Sequence, residues 1–229
     1  MLTAIIVAGG SSQRMGFDKL FAVIAGEPVI AHAIRAFERT KSVGQIVVVT
    51  REQRHDEIEK IASGARFKKI RAIVPGGERR QDSVRAGLDR IDPDAQYVAV
   101  HDAARPLITR EQIERAFTHC RVHGAAALAQ PVNDTLKRVD ADLLVVGSVD
   151  RHQLYAMQTP QVFERKSIED AYHAVYAENI LVTDEVSAVE RLGRRIALVV
   201  NDDFNLKITY PRDLPVADFI LRERANEHR

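Results

Sequence analysis

Residues 9–20 read Gly-Gly-Ser-Ser-Gln-Arg-Met-Gly-Phe-Asp-Lys-Leu and follow directly on an apolar run at 2–7. The run reads as a first β-strand, and the turn that leaves it is built of small residues. Backbone without bulky side chains at the carboxyl end of a strand can approach a phosphate closely. Arg14 and Lys19 add two cations to the same loop. That combination suits a polyphosphate whose charge grows in a transition state. The loop is neither a P-loop nor Gly-x-Gly-x-x-Gly, so a nicotinamide dinucleotide is not expected there. On these residues alone, a plain strand-to-helix turn with solvated cations is the other reading.

Two more clusters have the same character. Residues 76–83, Gly-Gly-Glu-Arg-Arg-Gln-Asp-Ser, follow an apolar run at 70–74. Backbone donors near Gly77 and the Ser83 hydroxyl can read a nucleobase edge; equally, the stretch can be a helix start capped by Asp82 or Ser83. Residues 101–106, His-Asp-Ala-Ala-Arg-Pro, close another apolar run. Asp102 is a hard-oxygen donor suited to Mg²⁺. Arg105 can fork onto a phosphate, or onto Asp102 simply to fix the loop. His101 is expected to pack at the strand end rather than move protons. Lys207 sits among apolar neighbours at 205–209, either on the solvent face of a late strand or extended towards a phosphate. Thr183-Asp184-Glu185 reads as an N-cap with first-turn acids.

The elements that position these residues follow from periodicity. Strands are predicted at 4–7, 45–50, 70–74, 97–101, 125–129, 196–200 and 206–209. Helical patterns occupy 28–41, 82–91 and 109–122, the last opened by Thr109 and Gln112 at capping-box spacing. The alternation predicts an α/β fold, a mostly parallel sheet covered by helices on both faces. Ligands in such folds sit beyond the carboxyl ends of the strands. Each polar cluster follows a predicted strand, which brings Arg14, Lys19, Arg79, Arg80, Asp102 and Arg105 to one edge.

From 131 to about 154 the alternation breaks. Extended pieces at 135–139 and 143–149 flank Asp140-Ala141-Asp142, which predicts a projecting β-hairpin arm on an otherwise single domain spanning 1–229. An arm this small cannot bury Leu136, Leu144 and Val146 by itself, so it is expected to pack on a second copy in a homodimer. The charged residues after Leu221 are expected to fray.

Bulk properties exclude several classes. The chain has 229 residues, 45% apolar and 28% charged, enough for a full soluble core. A formal charge of +1 gives no bulk attraction to nucleic acid. Cys120 is the only cysteine, which rules out an internal disulfide and a cysteine-based zinc site. There is no run of 18 apolar residues and no signal-peptide pattern, so no membrane span is expected and the cytoplasm is the expected compartment.

Taken together, these pieces resemble the 2-C-methyl-D-erythritol 4-phosphate cytidylyltransferase family. The matching motifs are Ala8-Gly9-Gly10, Arg14-Met15-Gly16, Lys19-Leu20-Phe21, Gly76-Gly77-Glu78-Arg79, Asp82-Ser83-Val84 and residues 101–106. Asp134-Thr135, Asp150-Arg151, Gln158-Thr159-Pro160-Gln161, Thr183-Asp184-Glu185 and residues 205–209 follow in family order. The resemblance implies a Rossmann-like sheet of the nucleotide-diphospho-sugar transferase type with a dimerising β-arm. It implies transfer of CMP from CTP to the sugar phosphate, with a divalent cation, usually Mg²⁺. It assigns Arg14 and Lys19 to the triphosphate and to catalysis. The nucleotide set it implies is Ala8, Gly9, Gly10, Gly77, Glu78, Ser83 and Asp102, with Asp102 also near the metal. Arg105, Thr135, Arg151, Thr159 and Lys207 match positions that hold methylerythritol phosphate, some reached from the partner's arm. Asp18 stands where many members carry proline, and Phe204 where an acid often stands, so Asp202 and Asp203 receive no metal role. No fused cyclase is expected. A ribitol-5-phosphate cytidylyltransferase would share the CTP half, but residues 101–106 and 183–185 fit the methylerythritol family better. A catalytically silent nucleotide-binding dimer is the rival from another class; intact Arg14, Lys19, Asp102 and Lys207 speak against it.

Overall fold

The computed structural model describes residues 1–227. Strand β1 (Leu2–Ala8) is followed by a small hairpin, β2 (Val23–Ile24) and β3 (Glu27–Pro28), and helix α1 (Val29–Arg39). Next come β4 (Val43–Thr50), α2 (His55–Gly64), β5 (Ile70–Pro75), α3 (Arg80–Leu88), β6 (Tyr97–Asp102), α4 (Arg110–His123) and β7 (Ala125–Pro131). The chain continues through β8 (Leu136–Val139), β9 (Val145–Val149), β10 (Tyr155–Glu164), α5 (Arg165–Ala177), α6 (Glu185–Glu190), β11 (Ala197–Val200) and α7 (Asp213–Glu227).

The main sheet has seven strands in the order β11-β7-β10-β6-β1-β4-β5. Pairs β1–β4, β1–β6, β4–β5 and β7–β11 are parallel; β10 runs antiparallel to both its neighbours. From β1 the chain moves outwards to β4 and β5, then returns to lay β6 on the other side. The crevice where strand order reverses therefore opens between the carboxyl ends of β1 and β6, the place where such sheets bind ligands.

Period-two alternation decides which side each residue covers. Ala4, Ile6, Ile46 and Val48 join the core with Ile30, Ile34 and Phe37 of α1 and Ile113 and Ala116 of α4. Ile5, Val47 and Val49 face the opposite core, with Val84 and Leu88 of α3 and Ile168 and Val175 of α5. Near-continuous apolar strands are what a sheet buried on both faces requires.

Several expectations change. Residues 206–209 form no strand: Ile208 is buried and donates its amide to the Ala104 carbonyl, and the segment runs as irregular chain past the site. The helix expected at 82–91 is α3, which begins earlier. Asp82 is not its cap but its third residue, and the carboxylate accepts the Arg79 amide at 3.1 Å. The 158–161 motif, to which periodicity gave no element, is part of β10, in the middle of the sheet. The ladder between β10 and β7 shifts register between Met157 and Gln161, which is where Pro160, lacking an N–H, is accommodated. The tail after Leu221 stays helical to Glu227, because Arg224 bonds the Leu107 carbonyl and Asp203; residues 228 and 229 lie outside the described residues. The Thr109–Gln112 capping box is present, with bonds of 3.2 and 2.9 Å.

Between Pro131 and Tyr155 the chain leaves the main sheet and makes a separate two-stranded antiparallel sheet, β8 with β9. Leu143, Leu144, Val145 and Val146 are exposed there, Leu143 by 79%.

Helix α3 reaches the sheet through Gly87. A Cβ at this position would lie 2.6 Å from Ile5 Cγ2 and 3.0 Å from Val49 Cγ2. Replacing a helical glycine by alanine otherwise gains about 1 kcal/mol of propensity. Overpacking a core costs about 1–3 kcal/mol. Gly87→Ala is therefore expected to lower stability in urea unfolding by about 1 kcal/mol; a stabilised variant would show that α3 is not seated this closely.

Candidate functional site

The carboxyl ends of β1, β4, β5 and β6 enclose a cavity of about 390 Å³. Other hollows are as large, about 430 Å³ between α3 and α5 and about 860 Å³ beside α1, α4 and α7, so volume does not select the site. Position and charge do. The strand-end cavity is lined by Lys19, Arg51, Arg79, Arg80 and Lys207 against two carboxylates, Glu78 and Asp102. That excess of positive charge at a switch point is arranged for a polyanion.

Asp102, the last residue of β6, is the hub. Its side chain is nearly buried, and Lys207 Nζ reaches Oδ2 at 2.7 Å. Arg80 Nε reaches Oδ1 at 3.3 Å, and Arg105 Nε lies 3.9 Å from Oδ2. Burial alone would raise this carboxyl; the cations of Arg80, Lys207 and Arg105 overcome it and hold it well below the usual carboxylate range. Arg80 is held in turn by a two-pronged bond to Glu185, at 2.6 and 2.9 Å. Glu185 is fully buried and also accepts the Tyr172 hydroxyl at 3.0 Å. Burial works against the Arg80 charge, and Glu185 and Asp102 raise its pKa regardless. The Glu185 and Val186 amides are met by the Gln161 side-chain carbonyl, at 3.1 and 3.0 Å. Asp184 rather than Thr183 caps α6, accepting the Ser187 amide at 3.0 Å, so the cap lies one residue later than the sequence order suggested and Glu185 alone is the first-turn acid.

His101 is buried against Phe37, with ring centroids 5.0 Å apart. The Arg105 carbonyl near Nε2 can only accept, so Nε2 carries the proton and Nδ1 accepts from Thr159. Burial pushes the imidazole down to about 4, so it is neutral at pH 7 and packs, as the sequence suggested.

The other residues divide clearly. Ala8, Gly9, Gly10, Lys19, Gly77, Glu78, Ser83, Asp102 and Lys207 line the cavity together. The diglycine corner needs its glycines: a Cβ on Gly76 would lie 2.5 Å from Ser83 Oγ, and one on Gly77 would lie 2.3 Å from Asp82 Cβ. Arg14 does not line the cavity. It is exposed on the turn Gln13–Met15, which Met15 anchors in the core, with its guanidinium 5.4 Å from the Tyr210 ring centre. Arg105 and Thr159 lie behind Asp102: Arg105 donates to the Asn205 carbonyl at 2.7 Å, and Thr159 Oγ1 accepts the Asp102 amide at 3.1 Å. Arg105 Nε is buried without a hydrogen-bond partner. Thr135 and Arg151 lie on the exposed arm, where Arg151 bonds the Asn133 carbonyl.

Lys19 Nζ donates to the Ile208 carbonyl at 2.6 Å. Partial burial lowers its pKa, and the charges of Lys207 and Arg14 lower it further. Sequence reasoning missed the Glu185–Arg80 support, because a first-turn acid ordinarily faces water. It also missed Arg51 and Arg54, since no motif contains them.

Known proteins resemble this chain along nearly its whole length. The model of the family described as 2-C-methyl-D-erythritol 4-phosphate cytidylyltransferase matches residues 2–223. The chain is 41% identical to the 2-C-methyl-D-erythritol 4-phosphate cytidylyltransferase of Caldanaerobacter subterraneus subsp. tengcongensis, over 97% of this chain and 99% of that protein. It is 40% identical to the protein of the same name from Bacillus licheniformis, over 98% and 97%. The crystal structure of 4-diphosphocytidyl-2C-methyl-D-erythritol synthase from Anaerococcus prevotii superposes with a TM-score of 0.85 at 30% identity, over 97% of this chain and 96% of that one. The cytidylyltransferase structure from Thermus thermophilus gives 0.77 at 27%, over 97% and 100%. The chain belongs to the 2-C-methyl-D-erythritol 4-phosphate cytidylyltransferase family.

Proposed function

We propose that this chain transfers CMP from CTP to 2-C-methyl-D-erythritol 4-phosphate, releasing pyrophosphate, in non-mevalonate isoprenoid precursor synthesis. The observation that carries the reading is the strand-end cavity, where Lys19 and Lys207 line the same hollow and Lys207 pairs with a buried, ionised Asp102. The triphosphate lies on the 9–19 loop against Lys19, with Arg14 adding its field from outside the lining. Cytosine lies against Ala8, Gly9, Gly10, Gly77, Glu78 and Ser83, and Asp102 lies near the ribose. The sugar phosphate takes Lys207 and Arg105, whose Nε the protein leaves unmet, with Thr159 behind them.

The attacking phosphate is already an anion at neutral pH, so no general base is required. The obstacle is repulsion between phosphate and triphosphate. Two unit charges 4 Å apart repel by about 4 kcal/mol at an effective dielectric of 20. Fixed cations at the point of approach offset that term without reorganising during the step. Lys19 and Arg14 stabilise the charge on the departing pyrophosphate; Lys207 and Arg105 hold the nucleophile in line.

A divalent cation, Mg²⁺ in the family resemblance, fits the donors present. Mg²⁺ is held by one or two carboxylates together with substrate phosphates and water, and Asp102 is a carboxylate kept ionised at the cavity. When bound, the ion supplies further neutralisation of the triphosphate.

The arm completes the reading. Its exposed Leu143, Leu144, Val145 and Val146 are covered by a second copy in a homodimer, which brings Thr135 and Arg151 to the neighbouring site. Among the described residues no helix is long and apolar enough to cross a membrane. A cytoplasmic place of action rests on Cys120, buried and unpaired.

Pyrophosphate release from CTP with methylerythritol phosphate and, separately, ribitol 5-phosphate tests the reaction. Turnover with the first and little with the second is expected; the reverse order would move the chain to the ribitol activity, and none with either would leave a silent nucleotide binder. Lys19→Ala and Arg14→Ala are each expected to lower kcat roughly 10²-fold, the scale of losing one transition-state donor; wild-type turnover would remove that residue from the triphosphate. Lys19 binds the triphosphate as the ammonium. Because its pKa lies below the ordinary 10.5, kcat/KM for CTP falls on the alkaline side earlier than an ordinary lysine would allow. Lys19→Arg, charged throughout, should move that limb upwards. For the arm, Val146→Asp is expected to give monomers in sedimentation and a raised KM for the sugar phosphate. A dimer with unchanged KM would separate the arm from both roles.

A further inference from the structure

The loop that takes the triphosphate has little structure of its own between Gly9 and Ser12, yet its backbone is tied down from one side. Arg54 is 7% exposed, at the corner between β4 and α2. Its Nη1 donates to the Ala8 carbonyl at 2.6 Å and its Nη2 to the Gly10 carbonyl at 3.0 Å. Its Nε pairs with the Asp18 carboxylate. Arg51, from the same corner, donates through Nε to the Gly9 carbonyl at 2.9 Å. Three successive carbonyls are thus held by two guanidinium groups.

Peptide planarity gives this a consequence. In a trans peptide the C=O and N–H point in opposite directions. Fixing the carbonyls of Ala8, Gly9 and Gly10 therefore turns the amides of Gly9, Gly10 and Ser11 the other way. Those three residues line the cavity, and among the described residues their amides have no hydrogen-bond partner. A run of unmet amides is an anion-binding concavity. Asp18 couples the same anchor to the catalytic side chain: its carboxylate also accepts the Leu20 amide at 3.2 Å, so it brackets Lys19 between Arg54 and its own bond.

We infer that Arg54, paired with Asp18, is a positioning residue for phosphate binding: it aims the loop amides and Lys19 at the triphosphate without touching it. Arginine suits the task because its planar fork reaches separate acceptors at fixed angles, which an ammonium cannot do. Asp18 in place of the proline carried by many relatives is then the other half of this brace. The inference rests on the loop being the triphosphate site.

The test uses the full-length protein and inorganic pyrophosphate as probe, with steady-state kinetics on the same preparations. Variants are Arg54→Lys, Asp18→Asn, the two combined, and Lys19→Ala as reference, each checked for native circular dichroism. Arg54→Lys is expected to weaken pyrophosphate binding and raise KM for CTP roughly tenfold or more, the scale of an ångström's misplacement, with KM for the sugar phosphate unchanged. Asp18→Asn should act in the same direction but less, and the double variant should fall short of the sum. If Arg54→Lys does not fold, Asp18→Asn alone carries the test through the same split. Native-like binding of pyrophosphate by either folded variant, or a parallel rise in both KM values, would overturn the brace. Weak binding by Lys19→Ala alone would overturn the brace and leave the loop as the phosphate site. Unchanged binding in every variant, Lys19→Ala included, would remove both.

Discussion

One buried carboxylate organises the site. Asp102 ends β6 at the crevice where the strand order turns back, and three cations converge on it from α3, from the loop after β6 and from the 205–209 segment. A buried charge is tolerable only when paired and fully hydrogen-bonded. Here the pairing recruits a second layer, because Arg80 cannot serve Asp102 without its own fork resting on Glu185. Removing one member would leave an uncompensated charge, so the helices on that face of the sheet are committed to one arrangement.

The pairing also prepares the cavity. Lys207 is drawn in by Asp102 yet remains partly exposed, so its ammonium stays available to an incoming phosphate. Lys19 sits close enough to Lys207 and Arg14 to feel their repulsion, and a polyanion relieves that strain between like charges. The amides of the first loop add neutral donors that need no counter-ion. Binding and chemistry therefore draw on one source, positive potential assembled before the ligand arrives, which is the condition for electrostatic stabilisation of a charged transition state. The arm lies outside this economy of charge; its tip exposes leucines and valines rather than cations.

Much of this was legible in the chain. Strand–helix alternation, with polar clusters after the runs at 2–7, 70–74 and 97–101, located the edge that holds the charged cavity, because strands buried on both faces are apolar throughout and only their ends can hold charge. The capping box at Thr109 was legible for the same local reason. Four features were not. Strand β10 hides behind Pro160, which argues against a central strand until the register shift is seen. Glu185 reads as a first-turn acid, and only the packing of α6 against α5 and α3 buries it. Arg51 and Arg54 belong to no motif, and their contacts to carbonyls more than 40 residues away exist only once β1 and β4 pair. Arg105 and Thr159 also brace the Asp102 loop, through the Asn205 carbonyl and the Asp102 amide, contacts that no spacing in the chain could have shown.

A crystal structure with CTP bound tests the central claim most directly. Phosphate oxygens within hydrogen-bonding distance of Lys19 Nζ and of the Gly9–Ser11 amides, with the cytosine against Gly77 and Ser83, are the expected result. A triphosphate lying elsewhere, with Lys19 still on the Ile208 carbonyl and the loop amides facing water, would contradict it.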